Sequence, residues 1–403
     1  MNLSFTPEQI AFRDEVRAFI ADSLPGHVRR RLAEDRPLSR EQFVEWQRIL
    51  NSKGWAVPHW PVRFGGTGWD AVKLHILSDE LQQAPAPAPL AFNVDLVGPV
   101  IATFGNEAQQ QRFLPRAANL DDWWCQGFSE PGAGSDLAAL RTSARRDGDH
   151  YVVNGQKIWT TLAQYADWIF CLVRTDTAAK AQRGISFLLI DMRTPGVTVR
   201  PIITIDGAHE INEVFFKDVA VPVENLVGEE NRGWDYAKFL LGRERTGIAR
   251  VGLSKLRLRR IRQLAATPQP DGRIPIEDVG LAQRVTALEV ELKALEITQL
   301  RVLSAQSGVQ ELEAKPDPAS SILKLKGSQI QQATTELMLE LAGPNALRYD
   351  PAVAAPDGEP GSNFGEPWIA RAAPMYFNWR KTSIYGGSNE IQRNIIAKAI
   401  LGL

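Results

Sequence analysis

The feature that most constrains this fold is a block of short β-rich runs in the middle of the chain, with no helical pattern between them. The runs are rich in β-branched and aromatic residues, and they cover residues 151–153, 168–173, 185–190, 197–199 and 214–216. Turn signals such as Asp147-Gly148-Asp149 and Asn154-Gly155 separate them. Short strands at this spacing favour a small β-barrel or sandwich.

Helical patterns flank this block on both sides. Thr6 is placed to cap a first helix, with Pro7 at its first position and Gln9 closing a capping box. Further helices are expected around residues 41–51 and 320–341, and loops at 84–89 and 350–366. A helix after the β block is indicated by apolar residues spaced by three, four and seven positions, which are Leu281, Val285, Leu288, Leu292, Leu295 and Val302.

The pattern predicts an α+β protein of three domains. The proposed boundaries give an all-α domain at residues 1–121, a middle β domain at 122–232 and an α-helical domain at 233–403.

Composition excludes several classes of function. The 403 residues carry 46 basic and 47 acidic side chains, so no basic surplus points to nucleic acid. No apolar run is long enough to span a membrane, and no secretory signal opens the chain. With only two cysteines, Cys125 and Cys171, both in apolar surroundings, we expect buried thiols and a cytoplasmic protein. The five histidines show no paired spacing, which argues against a metal site.

Two motifs in the β block carry the first chemical signals. Residues 128–136 read FSEPGAGSD, in which glycines and a serine near a proline allow backbone N–H groups to approach an anion. Residues 155–161 read GQKIWTT, whose Trp and two Thr offer a flat apolar wall and hydroxyls to a planar ring. Taken alone, the first motif is better explained as a surface loop and the second as a strand with a core Trp.

The third motif opens the last helix. Residues 385–393 read YGGSNEIQR, and glycines before a helix N-terminus suit a phosphate or nucleotide. An ordinary helix start is the plain alternative.

Together, in this order and spacing, the three motifs resemble the acyl-CoA dehydrogenase family. Residues 104–107, 113–115, 219–222 and 225–228 add to the match, which covers essentially the whole chain. The resemblance implies an N-terminal helical domain, a middle β-barrel domain and a C-terminal four-helix bundle, with FAD between them. Within the family, the chain is similar to large subunits of pimeloyl-CoA dehydrogenases and to steroid side-chain dehydrogenase subunits.

The resemblance also implies roles for single residues. Those expected to contact FAD are Phe128, Ser129, Gly134, Ser135, Trp159, Thr160, Thr161, Ser388 and Glu390. Those expected to contact the acyl-CoA substrate are Ser135, Arg245, Tyr385 and Gly386.

The reaction needs a carboxylate that removes the α-proton of the thioester. Many relatives place a Glu directly after the Tyr of the third motif, where this chain has Gly386. A subset of the family carries the base at the position that matches Glu244, in the stretch LLGRERTG. A solvated helix-face carboxylate is the alternative for Glu244, but the vacancy at Gly386 favours catalysis. Gly386 is then expected to donate its backbone N–H to the thioester carbonyl.

Two departures from the family bear on assembly. Residues 268–278 lack the Arg-x-x-Phe-Gly motif that reaches a neighbouring subunit's FAD; Arg273 is present without a following Phe-Gly. Glu340 and Pro344 replace residues that relatives use for the neighbour's FAD. These losses predict a hetero-oligomer with a homologous small subunit, the alternative being that Arg273 or another basic residue has taken over in a homo-oligomer.

We therefore expect an FAD-dependent enzyme that converts an acyl-CoA, such as pimeloyl-CoA or a medium-chain acyl-CoA, to the trans-2-enoyl-CoA. Electrons would pass to an electron-transferring flavoprotein. Three alternatives remain open: a steroid side-chain substrate, an oxidase that uses O₂, and a non-catalytic structural subunit.

Overall fold

The structure, a computed structural model, describes residues 5–269, 271–306, 318–354 and 366–403, except for the side chains of residues 242–248 and 304–306. Its helices and strands follow the predicted order, helical, then β, then helical. The α+β fold class is therefore confirmed.

The first part of the chain is helical. Its helices are α1 (Pro7–Ser23), α2 (Gly26–Ala33), α3 (Arg40–Ser52), α4 (Ala71–Gln83), α5 (Gly98–Phe104) and α6 (Glu107–Ala118). Thr6 caps α1 as predicted, because its hydroxyl accepts from the Gln9 N–H while the Gln9 side chain accepts from the Thr6 N–H. The connector before residue 90 is irregular, and its Pro87 carbonyl accepts a bond from the buried indole of Trp46.

The middle part is a seven-stranded sheet. The strands are β1 (Trp124–Gly127), β2 (Ser143–Asp147), β3 (His150–Thr161), β4 (Trp168–Arg174), β5 (Ile185–Asp191), β6 (Val197–Ile203) and β7 (His209–Pro222). Neighbours in the sheet run β1-β4-β2-β3-β7-β6, and β5 pairs with β4. All five predicted β-rich runs lie in strands. Cys125 and Cys171 are both buried and free, as expected.

One turn signal was wrong. Asp147 and His150 pair across a tight turn, but Asn154 and Gly155 lie inside β3, at a shift of its register with β7. Gly155 has φ 151°, and a Cβ there would lie 2.6 Å from Thr142 Oγ1. The glycine therefore serves a β-bulge rather than a reversal.

The last part is helical again. Its helices are α7 (Gly233–Ile248), α8 (Val251–Ala265), α9 (Val279–Gln306), α10 (Ser320–Ala342), α11 (Pro351–Ala354), α12 (Pro367–Trp379) and α13 (Asn389–Ile396). All six apolar residues predicted for α9 are buried. In the loop predicted at 350–366, residues 351–354 form the short helix α11, and 355–365 lie outside the described residues.

Helix α7 ends against α10 at a close backbone contact. A Cβ on Gly327 would lie 2.7 Å from the Cα of Ala249, and the Gln331 amide donates to the Ala249 carbonyl at 3.2 Å. Arg250 then adopts φ 45°, which separates α7 from α8. The end of α7 is thereby fixed on the core of the helical bundle.

Among the described residues, no helix combines the length and apolarity needed to cross a membrane.

Candidate active site

The first motif is a tight loop after β1 that is held against β3. The backbones of Glu130 and Ala133 exchange two hydrogen bonds of 3.0 Å, and the Ser129 carbonyl accepts from Ile158 N–H at 2.9 Å. Phe128 is buried, whereas Gly134 and Ser135 are exposed. Nothing lies within 4 Å of where a Cβ on Gly134 would be. The glycine-rich end of the loop therefore presents an open surface.

A buried ion pair joins the first two motifs. Lys157 is fully buried, and its Nζ lies 2.8 Å from Glu130 Oε1 and 3.2 Å from the Phe128 carbonyl. The Glu130 carboxylate also accepts from the backbone N–H groups of Arg141 and Thr142, at 2.6 and 2.9 Å. Burial alone would raise the pKa of Glu130, but the Lys157 charge and these hydrogen bonds lower it overall. Glu130 thus stays ionised and ties the loop to β3.

We did not foresee this pair, although both residues lie in the motifs. The available signal was a lysine inside a β-rich motif, directly before Ile158 and Trp159, since a buried Lys needs an acidic partner.

The exposed indole of Trp159 marks the surface beside this loop. Trp159 has φ 60° and is 58% exposed, which is unusual for both its backbone and its apolar ring. Next to it, Thr160 is buried, and its Oγ1 has no hydrogen-bond partner within the described structure. Thr161 is half-buried at the end of the strand. The strained backbone at Trp159 is typical of a functional position.

The third motif forms the start of α13. Gly386 and Gly387 have φ of 64° and 80°, and the Ser388 side chain caps the helix by accepting from Ile391 N–H. Asn389 is buried and accepts from Lys324 Nζ at 2.9 Å and from Ser328 Oγ at 3.1 Å. These contacts leave Tyr385 and Glu390 on the exposed side.

The structure joins the second and third motifs through Glu210 of β7. Its backbone carbonyl accepts from Leu162 N–H at 2.8 Å, directly after Thr161. Its carboxylate accepts from Asn378 at 3.2 Å and from Lys381, which lies shortly before Tyr385. The middle sheet therefore anchors the segment that leads into the last motif.

Glu244 and Arg245 lie in the last turns of α7, and their side chains lie outside the described part of the structure. The backbone of that helix end is positioned by Ala249 and Gly327, as described above. The assignment of Glu244 as the base stays a prediction.

Arg273 and Glu340, from the two stretches that depart from the family pattern, each form an ion pair within this chain. Arg273 pairs with Asp271 at 2.7 Å within its own exposed loop. Glu340 forms an ion pair with Arg284 of α9. The charge of Glu340 is thus partly neutralised within the chain. Repulsion of a neighbour's pyrophosphate by Glu340 therefore supports a hetero-oligomer less strongly than the missing motif at residues 268–278 does.

Comparison with known proteins decides the family. Models of the N-terminal, middle and C-terminal domains of acyl-CoA dehydrogenases match residues 6–121, 125–219 and 231–401. The acyl-CoA dehydrogenase IpdE1 of Mycobacterium tuberculosis is 35% identical over 97% of this chain and 97% of its own length.

The chain belongs to the acyl-CoA dehydrogenase family.

Other acyl-CoA dehydrogenases align over the full length. FadE26 of M. tuberculosis is 34% identical over 100% of this chain and 99% of its own. Among solved structures, the ChsE4-ChsE5 complex of M. tuberculosis contains a chain that is 34% identical, with a TM-score of 0.82 and coverage of 100% and 99%. A steroid acyl-CoA dehydrogenase, Tcur3481-Tcur3483, gives 29% identity and a TM-score of 0.83 over 100% and 99%.

Enzymes of this family are FAD-dependent oxidoreductases, and the residues of this chain fit that cofactor. The exposed Trp159 ring offers a stacking surface, and the unpartnered hydroxyl of Thr160 lies beside it. The open backbone at Gly134 and the capped N-terminus of α13 at Ser388 suit the cofactor's phosphates. The chain is an FAD-dependent acyl-CoA dehydrogenase.

Proposed function

We propose that Glu244 is the general base of this acyl-CoA dehydrogenase. The observation that carries the proposal is Gly386, which leaves the third motif without a carboxylate at the position where many relatives have one. Gly386 has φ 64°, a conformation that suits glycine and would strain a glutamate. A base must therefore come from another element, and α7 ends against α10 with its backbone fixed at Ala249.

In this mechanism the chain's own residues bind the thioester and move one proton. Glu244 takes the proton from Cα, and the backbone N–H of Gly386 donates to the thioester carbonyl, where negative charge develops. Ser135, Arg245 and Tyr385 contact the substrate. Phe128, Ser129, Trp159 and Thr161 would hold the flavin, and Ser388 and Glu390 would hold its adenosine half. The bound cofactor would supply the hydride acceptor for Cβ, so that loss of the Cα proton and the Cβ hydride gives the trans-2-enoyl-CoA.

The proposed substrate is a dicarboxylyl-CoA such as pimeloyl-CoA, or a medium-chain acyl-CoA. A steroid-derived acyl-CoA is the second candidate. The favouring observation is the 29% identity with a protein described as a steroid acyl-CoA dehydrogenase.

The working unit is proposed to be a hetero-oligomer with a homologous small subunit, and its electron acceptor an electron-transferring flavoprotein. The loss of the neighbour-reaching motif at residues 268–278 and the 34% identity with a chain of the ChsE4-ChsE5 complex support the hetero-oligomer. The test is light scattering of the purified chain together with its FAD content. A fully active homo-oligomer with one FAD per chain would refute it.

The test of the base is Glu244→Gln. We expect FAD and acyl-CoA binding to persist while flavin bleaching slows by about 10²- to 10⁴-fold, the usual contribution of a positioned base. Glu336→Gln, an exposed carboxylate on α10, is the matched control. If Glu244→Gln bleached the flavin as fast as Glu336→Gln, the assignment would be wrong.

A further inference from the structure

Two guanidinium groups stack on one indole near the end of α7. The Cζ of Arg257, on α8, lies 3.9 Å from the Trp379 ring centroid, and that of Arg250 lies 5.3 Å from it. Both distances are within the range of cation–π attraction. The indole thus holds two positive charges at the junction of α7, α8 and α12.

Among the residues that the structure describes, no carboxylate is bonded to this cluster. Nη1 of Arg257 is buried and has no hydrogen-bond partner in the described structure. Asp35 is the acidic group near enough to act on Arg257, but its carboxylate is bonded to Arg260 at 2.5 Å. Burial is the main reason that the pKa of Arg257 is lowered to about 9; Arg250 also lowers it, and Asp35 opposes both. A buried N–H without an acceptor is costly, so Nη1 of Arg257 is available to an incoming acceptor.

The position of the cluster connects it to the reaction. Arg250 follows the end of α7 and lies six residues after Glu244. Trp379 ends α12, shortly before Tyr385, and Tyr385 is close enough to Arg257 to act on its charge. The two guanidiniums therefore lie between the helix that carries the proposed base and the segment proposed to contact the thioester.

We infer that Arg257, assisted by Arg250, receives a carboxylate at the distal end of the acyl chain. This inference rests on the proposed function and narrows its substrate to dicarboxylyl-CoA thioesters. The planar guanidinium of Arg257 offers its unused N–H to one carboxylate oxygen, and the exposed Arg250 supplies a second positive charge. Trp379 holds both groups in place.

The experiment compares two thioesters of equal chain length, pimeloyl-CoA and heptanoyl-CoA, on the FAD-loaded enzyme with any partner subunit it requires. We expect Arg257→Met to lower the ratio of kcat/KM for pimeloyl-CoA to that for heptanoyl-CoA by about 10- to 100-fold, the range of a charge-assisted hydrogen bond. Arg257→Lys keeps the charge without the planar fork, so the ratio should fall less.

The matched control is Arg259→Met, which removes a positive charge from the exposed side of the same helix, where Arg259 bonds to Gln83. It should leave the ratio unchanged. The inference is overturned if Arg257→Met lowers both kcat/KM values equally, since that indicates a structural role, or if the unmodified enzyme prefers heptanoyl-CoA. If neither thioester bleaches the flavin, the proposed dicarboxylyl- or medium-chain substrate fails separately and the steroid-derived candidate is left. In that case the Kd values of pimeloyl-CoA and heptanoyl-CoA, measured by calorimetry, test the inference. It is overturned if Arg257→Met leaves the ratio of these two Kd values unchanged.

Discussion

Removal of the Lys157 ammonium should weaken the attachment of the loop at residues 128–136 to β3. In Lys157→Met, the Glu130 carboxylate stays buried and keeps only the two backbone donors from Arg141 and Thr142. The Phe128 carbonyl loses its Lys157 donor as well.

The expected loss of stability follows from these contacts. Removing one partner of a buried ion pair costs about 3–5 kcal/mol. The two remaining donors to Glu130 place this case near the lower end, at about 3 kcal/mol. With a urea slope of about 3 kcal/mol/M, the midpoint of unfolding should fall by about 1 M.

The assay is urea unfolding followed by tryptophan fluorescence, together with the FAD content after gel filtration. Lys217→Met, an exposed lysine on β7, is the control and should change stability by less than about 0.5 kcal/mol. The double variant Glu130→Gln/Lys157→Met should recover part of the loss, because no unpaired charge stays buried. If Lys157→Met shifted the midpoint no further than Lys217→Met, the ion pair would not be what holds the loop.

Three further predictions concern the same region. The pKa of Glu130 is lowered in the folded state, so its ionised form stabilises the fold fully above the ordinary pKa of 4.5, and this contribution is lost as pH falls through the lowered pKa. In Glu130→Gln, the free energy of unfolding should therefore fall less steeply with decreasing pH in acid titrations. Trp159→Ala should leave unfolding of the cofactor-free chain nearly unchanged and raise the FAD Kd about 3- to 10-fold, measured by fluorescence titration, since the exposed ring contributes chiefly to stacking. Lys381→Met removes the cation that pairs with Glu210, so the rate of FAD release should rise while the midpoint of unfolding changes little. A rise in release rate that is fully explained by a lower midpoint of unfolding would contradict a local role.

Secondary structure was predicted correctly where the local residue pattern matches the face that the folded protein buries. The apolar spacing of α9 and the β-rich runs predicted their elements correctly, since each requires one buried face. The prediction of a turn at Asn154-Gly155 was wrong because this dipeptide occurs both in hairpin turns and in β-bulges. The close approach of Thr142 to Gly155, which identifies the bulge, cannot be read from the sequence.

The long-range side-chain pairings could not be read from spacing. Glu130 and Lys157 are 27 residues apart, and their contact depends on how the loop folds back on β3. Stacking of Arg257 on Trp379 joins two helices that are separated by most of the last domain. The motifs supplied candidate site residues, but they did not indicate that Glu130 and Lys157 form an ion pair.

The anchoring of the last motif on the middle sheet has a consequence for biosynthesis. Glu210 contacts Asn378 and Lys381, so the second and third motifs meet only after the final segment has left the ribosome. At translation rates of about 5–20 residues per second, Ser388 follows Thr161 by roughly 10–45 s. During that interval the Trp159 indole is exposed on a nascent chain whose flavin surface is half built. We therefore expect the proposed FAD site to be complete only after translation of the last segment. A chain truncated before residue 378 would present the loop and sheet without the segment that Glu210 anchors.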